Sequence, residues 1–378
     1  MTSITQKIYS NDYADYIFPY SNPSFLNDFS SYGAQMLDPH YCLLHDVRNG
    51  QSPAFFKDFE LYDISLFMPN LFHPLSTVSL EASGITMTQS QPYLNLSGKG
   101  ILIGFLDSGI DYLHPAFLDS DGNTRIEILW DQESDRGIPN PYHYGTIYKK
   151  DTIDQAIQSS DPYEIVPVQD KTGHGTALAG IAAGTPSLEN DFTGAAYEAG
   201  ICVVKLKPAK QYLREYLFAK EEAILYQEND IMMGIRFLTD YAKKEKKPLI
   251  ICLGLGTNQG DHGGGSPLSR MINFESYDSY TAFAIGTGNE GDKGHHYTHS
   301  FLNSDSGESV DAVEVIVPEG CSGFTAQLWG SVNALYSLGF ESPLGTVIAP
   351  GSASAGKRDI LRFVLEETIV QLSYSIVA

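Results

Sequence analysis

A chain of 378 residues is too long for one small domain and suits two or three, and its 42% hydrophobic and 12% aromatic residues supply sizeable cores. Only 19% of the residues are charged, which excludes a disordered polyelectrolyte. The net charge of -22 repels phosphate backbones and argues against nucleic acid as a partner, and no run reaches the roughly 18 apolar residues of a membrane span.

The first twenty residues are polar and tyrosine-rich and contain no apolar export segment. Cys42, Cys202, Cys252 and Cys321 show no close spacing, and Cys202 and Cys252 sit inside apolar runs, where a free thiol behaves as a small hydrophobe. Together these features predict a reducing setting. Residues 1–95 are aromatic and acidic, and six prolines from Pro19 to Pro74 break any long helix, so they read as a separate unit. The stretch from Pro74 to Gly98 reads as a linker.

From residue 96 the pattern becomes that of an α/β layer. Four short apolar runs, 101–106, 201–206, 249–253 and 281–286, fit parallel strands buried on both faces. Between them, His174 to Gly184 is rich in alanine and glycine, and Glu221 to Lys244 carries Ile224, Leu225, Ile231, Ile235, Phe237 and Leu238 at roughly helical spacing. Strand–helix–strand alternation predicts a doubly wound parallel sheet over 96–298, with chemistry collected at the carboxyl ends of its strands. Residues 299–378 change character again. Runs at 313–317, 324–329 and 369–374 partly alternate between glycine and proline clusters, which predicts antiparallel β structure.

Three motifs carry the chemistry. Asp107-Ser108-Gly109 ends the first run, Gly173-His174-Gly175-Thr176 opens the first helix, and Gly288-Asn289-Glu290-Gly291 follows the fourth run. A serine hydroxyl is a poor nucleophile near neutral pH and needs a histidine to accept its proton. The histidine in turn needs a carboxylate that fixes its tautomer and stabilises the imidazolium. Asp107 and His174 are suited to those roles, and the Asn289 amide suits the oxyanion of a tetrahedral intermediate.

In this order the motifs resemble the subtilisin-like serine proteases, in which Asp, His and Ser follow one another along the chain. The resemblance assigns Asp107 and His174 as catalytic and Asn289 to the oxyanion hole. It makes Gly254-Leu255-Gly256, where the family has S-L-G, an extended edge that pairs with substrate backbone. Residues 79–85, 204–213 and 226–232 further resemble the clostridial Csp-type branch, whose members act in spore germination. That likeness implies an N-terminal prodomain, matching 1–95, and a jelly-roll insertion, matching 299–378. It implies a peptide or protein substrate, the chain's own prodomain as a partner, no cofactor, and a cytoplasmic or spore-associated location. One element departs from the pattern, because no G-T-S-x-A segment occurs. Gly351-Ser352-Ala353-Ser354-Ala355 lacks that order, and Gly320-Cys321-Ser322-Gly323-Phe324 is no nucleophile elbow. The chain therefore reads as an endopeptidase fragment without its nucleophile. A catalytically inactive pseudoprotease, or binding scaffold in germination signalling, is the alternative.

Rival readings of single features are blander. His295, His296 and His299 read as a solvated loop rather than a metal site, since no suitably spaced carboxylates stand beside them. Asp119 to Asn123 reads as a hairpin turn rather than a calcium loop. The glycines from Gly254 to Gly265 have the wrong spacing for a phosphate loop.

Overall fold

The computed structural model describes residues 3–20, 26, 30, 33–47, 67–74, 85–89, 93, 96–137, 139–187, 192–277, 280–291, 293–300, 310–331 and 333–376. The N-terminal part forms helix α1 (Ile4–Tyr9), strands β1 (Tyr13–Pro19), β2 (Gln35–Met36), β3 (Tyr41–Val47) and β4 (Leu71–Pro74), and helix α2 (Ile85–Gln89). Then come β5 (Leu102–Asp107), β6 (Ile126–Asp131), β7 (Thr146–Lys149), α3 (Lys150–Ile157), α4 (Pro162–Ile165), α5 (His174–Ala183) and β8 (Gly200–Lys205). They are followed by α6 (Gln211–Tyr216), β9 (Tyr226–Gln227), α7 (Glu228–Glu245), β10 (Leu249–Leu253), β11 (Leu255–Gly256), α8 (Pro267–Tyr277) and β12 (Thr281–Ile285). The tail holds β13 (Ser337–Glu341), β14 (Val347–Ser352), β15 (Arg358–Phe363) and β16 (Thr368–Ser373).

The main sheet has the order β12-β10-β5-β8-β6-β7 and is parallel except for the β6–β7 pair. Its centre is apolar because both faces are covered. On one face Met232, Ile235 and Leu238 of α7 and Met271 of α8 pack with Leu102, Leu106, Val204 and Leu253. On the other, Ala179 and Ala183 of α5 pack with Ile103, Phe105 and Val203. The four predicted runs are all strands, but β12 ends the sheet and Ala282, Ala284 and Ile285 are exposed, so it is not buried on both faces. The apolar run Ile126 to Trp130 supplies a further strand, β6, that the periodicity argument passed over.

Helix α7 starts at Glu228 and not at Glu221. Ile224 is exposed, and Tyr226–Gln227 is extended because it pairs with β4. Strand pairing outside the helix overrides the helical spacing of Ile224 and Leu225. The tail pairs as two antiparallel hairpins, β13–β14 and β15–β16. Residues 313–317 and 324–329 alternate in sequence yet lie outside any strand, with Val313, Val315 and Trp329 exposed. Alternation makes a strand only when a neighbouring strand pairs with it, and among the described residues no strand pairs with either stretch.

The N-terminal sheet, order β1-β3-β2, docks against the α/β layer through both of its faces. Ile17 and Leu43 join the core built on α7, while Tyr16, Phe18 and Leu44 pack with Ala209, Tyr212 and Leu213. A buried polar group crosses the same junction. Asp15 Oδ1 accepts from His45 Nδ1 at 2.7 Å and from Lys210 Nζ at 2.8 Å, and Asp15 Oδ2 accepts from Gln227 Nε2 at 3.1 Å. Lys210 Nζ also donates to the carbonyls of Lys7 and Tyr13, and the Tyr212 hydroxyl donates to the Asp15 carbonyl. Beside it, Lys207 and Asp230 form a second buried ion pair at 2.7 Å.

Candidate active site

The site is built where β5 ends. Asp107 is fully buried, and its Oδ1 accepts from the Ser108 amide at 2.7 Å. His174 opens α5, and its Nδ1 lies 2.8 Å from Asp107 Oδ1 and 2.9 Å from Oδ2. A carboxylate only accepts, so the Nδ1–H donates and the neutral ring carries its lone pair on Nε2. Two glycines make this approach possible in different ways. A Cβ on Gly175 would stand 2.2 Å from the Gly109 carbonyl oxygen, so only glycine lets α5 meet the strand end. Gly173 faces open space; its φ of +74° supplies the left-handed turn that starts the helix, a conformational rather than a packing requirement.

Sequence reasoning missed Asp170. Its Oδ1 accepts from the Ser108 hydroxyl at 2.7 Å and the Gly173 amide at 3.0 Å, and its Oδ2 from the Thr176 amide and hydroxyl at 2.9 and 2.7 Å. One carboxylate thus ties the residue after Asp107 to the turn that carries His174. Burial would raise the Asp170 carboxyl, but the donors from Thr176, Ser108 and Thr172 outweigh it and hold it below the usual range. The signal was an aspartate just ahead of a helix start, where capping carboxylates are expected. His174 itself is raised above its ordinary value. Its hydrogen bond to Asp107 is the largest cause; partial burial opposes it, and the charges of Asp107 and Asp170 add to it.

Gly254 lies against this pair. A Cβ there would stand 2.9 Å from Leu178 Cδ2, 3.3 Å from His174 Cε1 and 3.5 Å from Asp107 Oδ2. Leu255 and Gly256, as β11, do form an extended edge, and it is occupied. Strand β4 runs antiparallel to it, with Pro74 opposite Leu255 and His73 opposite Gly256. Along its other half β4 pairs with β9, Leu71 opposite Gln227 and Phe72 opposite Tyr226. A segment of the chain's own N-terminal part is therefore the middle strand of a small sheet, β11-β4-β9. Asn289 lies on the exposed loop just after β12, at the same end of the sheet as Asp107. The neighbouring Glu290 contacts His295 Nδ1, and Asp311 stands 3.4 Å from His299. Carboxylates thus do face these histidines, contrary to the sequence reading, but among the described residues no group of three His, Cys, Asp or Glu could hold a metal.

The other secondary readings can be placed as well. Asp119 Oδ1 accepts from the amides of Asp121 and Asn123 inside the Leu118–Thr124 bridge, the hairpin turn expected. Gly351 and Ser352 lie on β14, not at a helix start. Among the described residues no helix is long and apolar enough to cross a membrane.

Comparison with known proteins gives the same architecture. The model of the subtilase family matches residues 98–360. The CspB protease of Clostridium perfringens is 31% identical with a TM-score of 0.59, over 75% of this chain and 55% of that protease. This chain therefore spans little more than half the length of that relative. A psychrophilic protease, S41, is 20% identical (TM-score 0.33, 53% of this chain and 50% of that one). The epidermin leader peptide processing protease of Staphylococcus aureus is 14% identical (TM-score 0.31, 64% and 60%). No curated protein sequence matches significantly. With the family model covering well over half its length, the chain belongs to the subtilase family.

Proposed function

We propose that this chain carries the Asp–His half and the peptide-binding edge of a serine endopeptidase. The observation that carries the reading is the 2.8 Å bond between His174 Nδ1 and Asp107, beside an edge that already holds an extended peptide. In this reading His174 Nε2 takes the proton of a serine hydroxyl as its oxygen attacks the scissile carbonyl. The Asn289 amide donates to the oxyanion, and His174 then protonates the leaving amine. Substrate backbone runs along Leu255 and Gly256, where β4 now lies. Residues 1–95 act as a prodomain whose β4 arm takes the substrate's place, and 299–378 form part of a jelly-roll-like insertion. The free thiols of Cys42, Cys202, Cys252 and Cys321 accord with a cytoplasmic or spore-associated setting.

No serine in a G-T-S-x-A segment is present, and in this reading the nucleophile comes from sequence outside these 378 residues. A fluorophosphonate probe, which labels activated serines, tests this directly. The 378-residue chain should stay unlabelled. A product extended through the serine segment should label, and His174→Ala should abolish that. Labelling of the short chain would place a nucleophile within it. No labelling of the extended product would favour a binding scaffold.

A further inference from the structure

The strand pairings around β4 end at Leu71, yet the grip on the arm continues. Glu228 follows β9 directly and is almost wholly buried. Its Oε2 accepts from the Asn70 backbone amide at 3.2 Å and from Asn70 Nδ2 at 3.0 Å, while its own amide donates to the Asn70 carbonyl at 3.0 Å. Its Oε1 is used differently, accepting from the Leu268 amide at the start of α8 at 3.0 Å. One oxygen thus serves the fold and the other serves the arm. On the opposite side, Gln259, three residues beyond β11, accepts the Leu71 amide on its Oε1 at 3.0 Å. Each flanking strand is followed by a side-chain acceptor aimed at a backbone amide of the same dipeptide, Asn70-Leu71.

Resting on the reading of this groove as the substrate cleft, we propose that Glu228 and Gln259 form a backbone clamp that extends peptide recognition one residue beyond the strand pairings. The clamp selects a hydrogen-bond-donating carboxamide at the position of Asn70. Main-chain bonds give a groove its affinity for any extended peptide, and side-chain partners give it selectivity. The backbone contacts of Glu228 and Gln259 belong to the first kind. The bond from Asn70 Nδ2 to Glu228 belongs to the second, because an acidic side chain there would face a buried carboxylate with no donor between them.

The test uses the full chain with Asn70→Asp, which turns its own arm against Glu228 and frees the groove. Two labelled hexapeptides are titrated by fluorescence anisotropy: Pro-Asn-Leu-Phe-His-Pro, the sequence of residues 69–74, and its Asn-to-Asp counterpart. The parent chain should bind both weakly, since its arm holds the site. The variant should bind the Asn peptide at least about tenfold tighter than the Asp peptide, the scale of a charge-assisted hydrogen bond lost. Adding Glu228→Gln should shrink that ratio to about threefold or less, because a glutamine can also donate to Asp. Equal binding of both peptides would overturn the clamp while leaving the groove intact. Binding of neither would overturn the groove and the clamp with it. If Asn70→Asp fails to fold, amide exchange in Glu228→Gln decides. The Asn70 amide, which Glu228 accepts, should then exchange about tenfold faster, with α7 and α8 unchanged, and unchanged Asn70 exchange would overturn the proposal.

Discussion

Two histidine–aspartate pairs of nearly identical length sit in this molecule and behave in opposite ways. His174 Nδ1 lies 2.8 Å from Asp107, and His45 Nδ1 lies 2.7 Å from Asp15. His174 is raised above its ordinary value and His45 is lowered. The His174 side chain keeps 19% exposure, so its bond to Asp107 outweighs the cost of burying charge. His45 has 1%, and burial is the largest cause of its shift. Its aspartate is also shared, because Lys210 already neutralises Asp15 from 2.8 Å. The Gln35 amide nitrogen lies 3.1 Å from His45 Nε2, so a neutral ring satisfies both nitrogens. A bond length alone therefore does not make a base. The open pair favours the imidazolium and the closed one disfavours it.

The largest test of this contrast is Lys210→Met. Removing one partner of a buried pair leaves the other uncompensated, so the variant should lose about 3–5 kcal/mol in urea unfolding. The His45 titration midpoint, followed by NMR, should rise, because the charge of Lys210 lowers it and Asp15 is then shared with one cation fewer. A loss below about 1 kcal/mol would show that Lys210 is not what sets His45 apart.

Asp107→Asn comes next. It removes a charged hydrogen bond from a half-open site and should cost about 1–3 kcal/mol. The His174 midpoint should fall, since the largest cause raising it is gone while burial remains. An unchanged midpoint would break the comparison at its other end.

The smallest effect is in pH. His174 has a raised folded value, so its stabilisation is full below about pH 6.5 and is lost as pH rises through that folded value. His45 has a lowered folded value, so its contribution is intact above about pH 6.5 and is lost as pH falls towards the folded value. Relative to the parent chain, His45→Gln should gain melting temperature at about pH 5 compared with pH 8, and Asp107→Asn should lose it. Slopes of the same sign in both variants would contradict the opposite assignments.

Much of one pair was legible in the sequence and none of the other. Asp107 and His174 stand in short motifs at a strand end and a helix start, where local pattern fixes position. Gly254 to Gly256 was read as an edge, but its occupant was not, because pairing with residues 73 and 74 is a long-range choice that periodicity does not encode. For the same reason Tyr226 and Gln227 were read as helix. Asp15, His45 and Lys210 carry no motif at all. Asp15 is 195 residues from Lys210 in sequence, and only the folded junction brings them together. Alternation at 313–317 misled in the opposite direction, since a pattern without a pairing partner is not a strand.

That junction also has a schedule. His45 meets Asp15 across 30 residues of chain, within one small sheet, whereas Gln227 lies 212 residues beyond Asp15. At about 5–20 residues per second of synthesis, Asp15 and His45 wait roughly 10–40 s for the last of their partners to emerge. Burial of the ring and the charge of Lys210, which both lower His45, come only with that docking. A histidine lowered on folding costs stability below its ordinary value, so a growing chain should complete the docking more readily in neutral than in acidic surroundings.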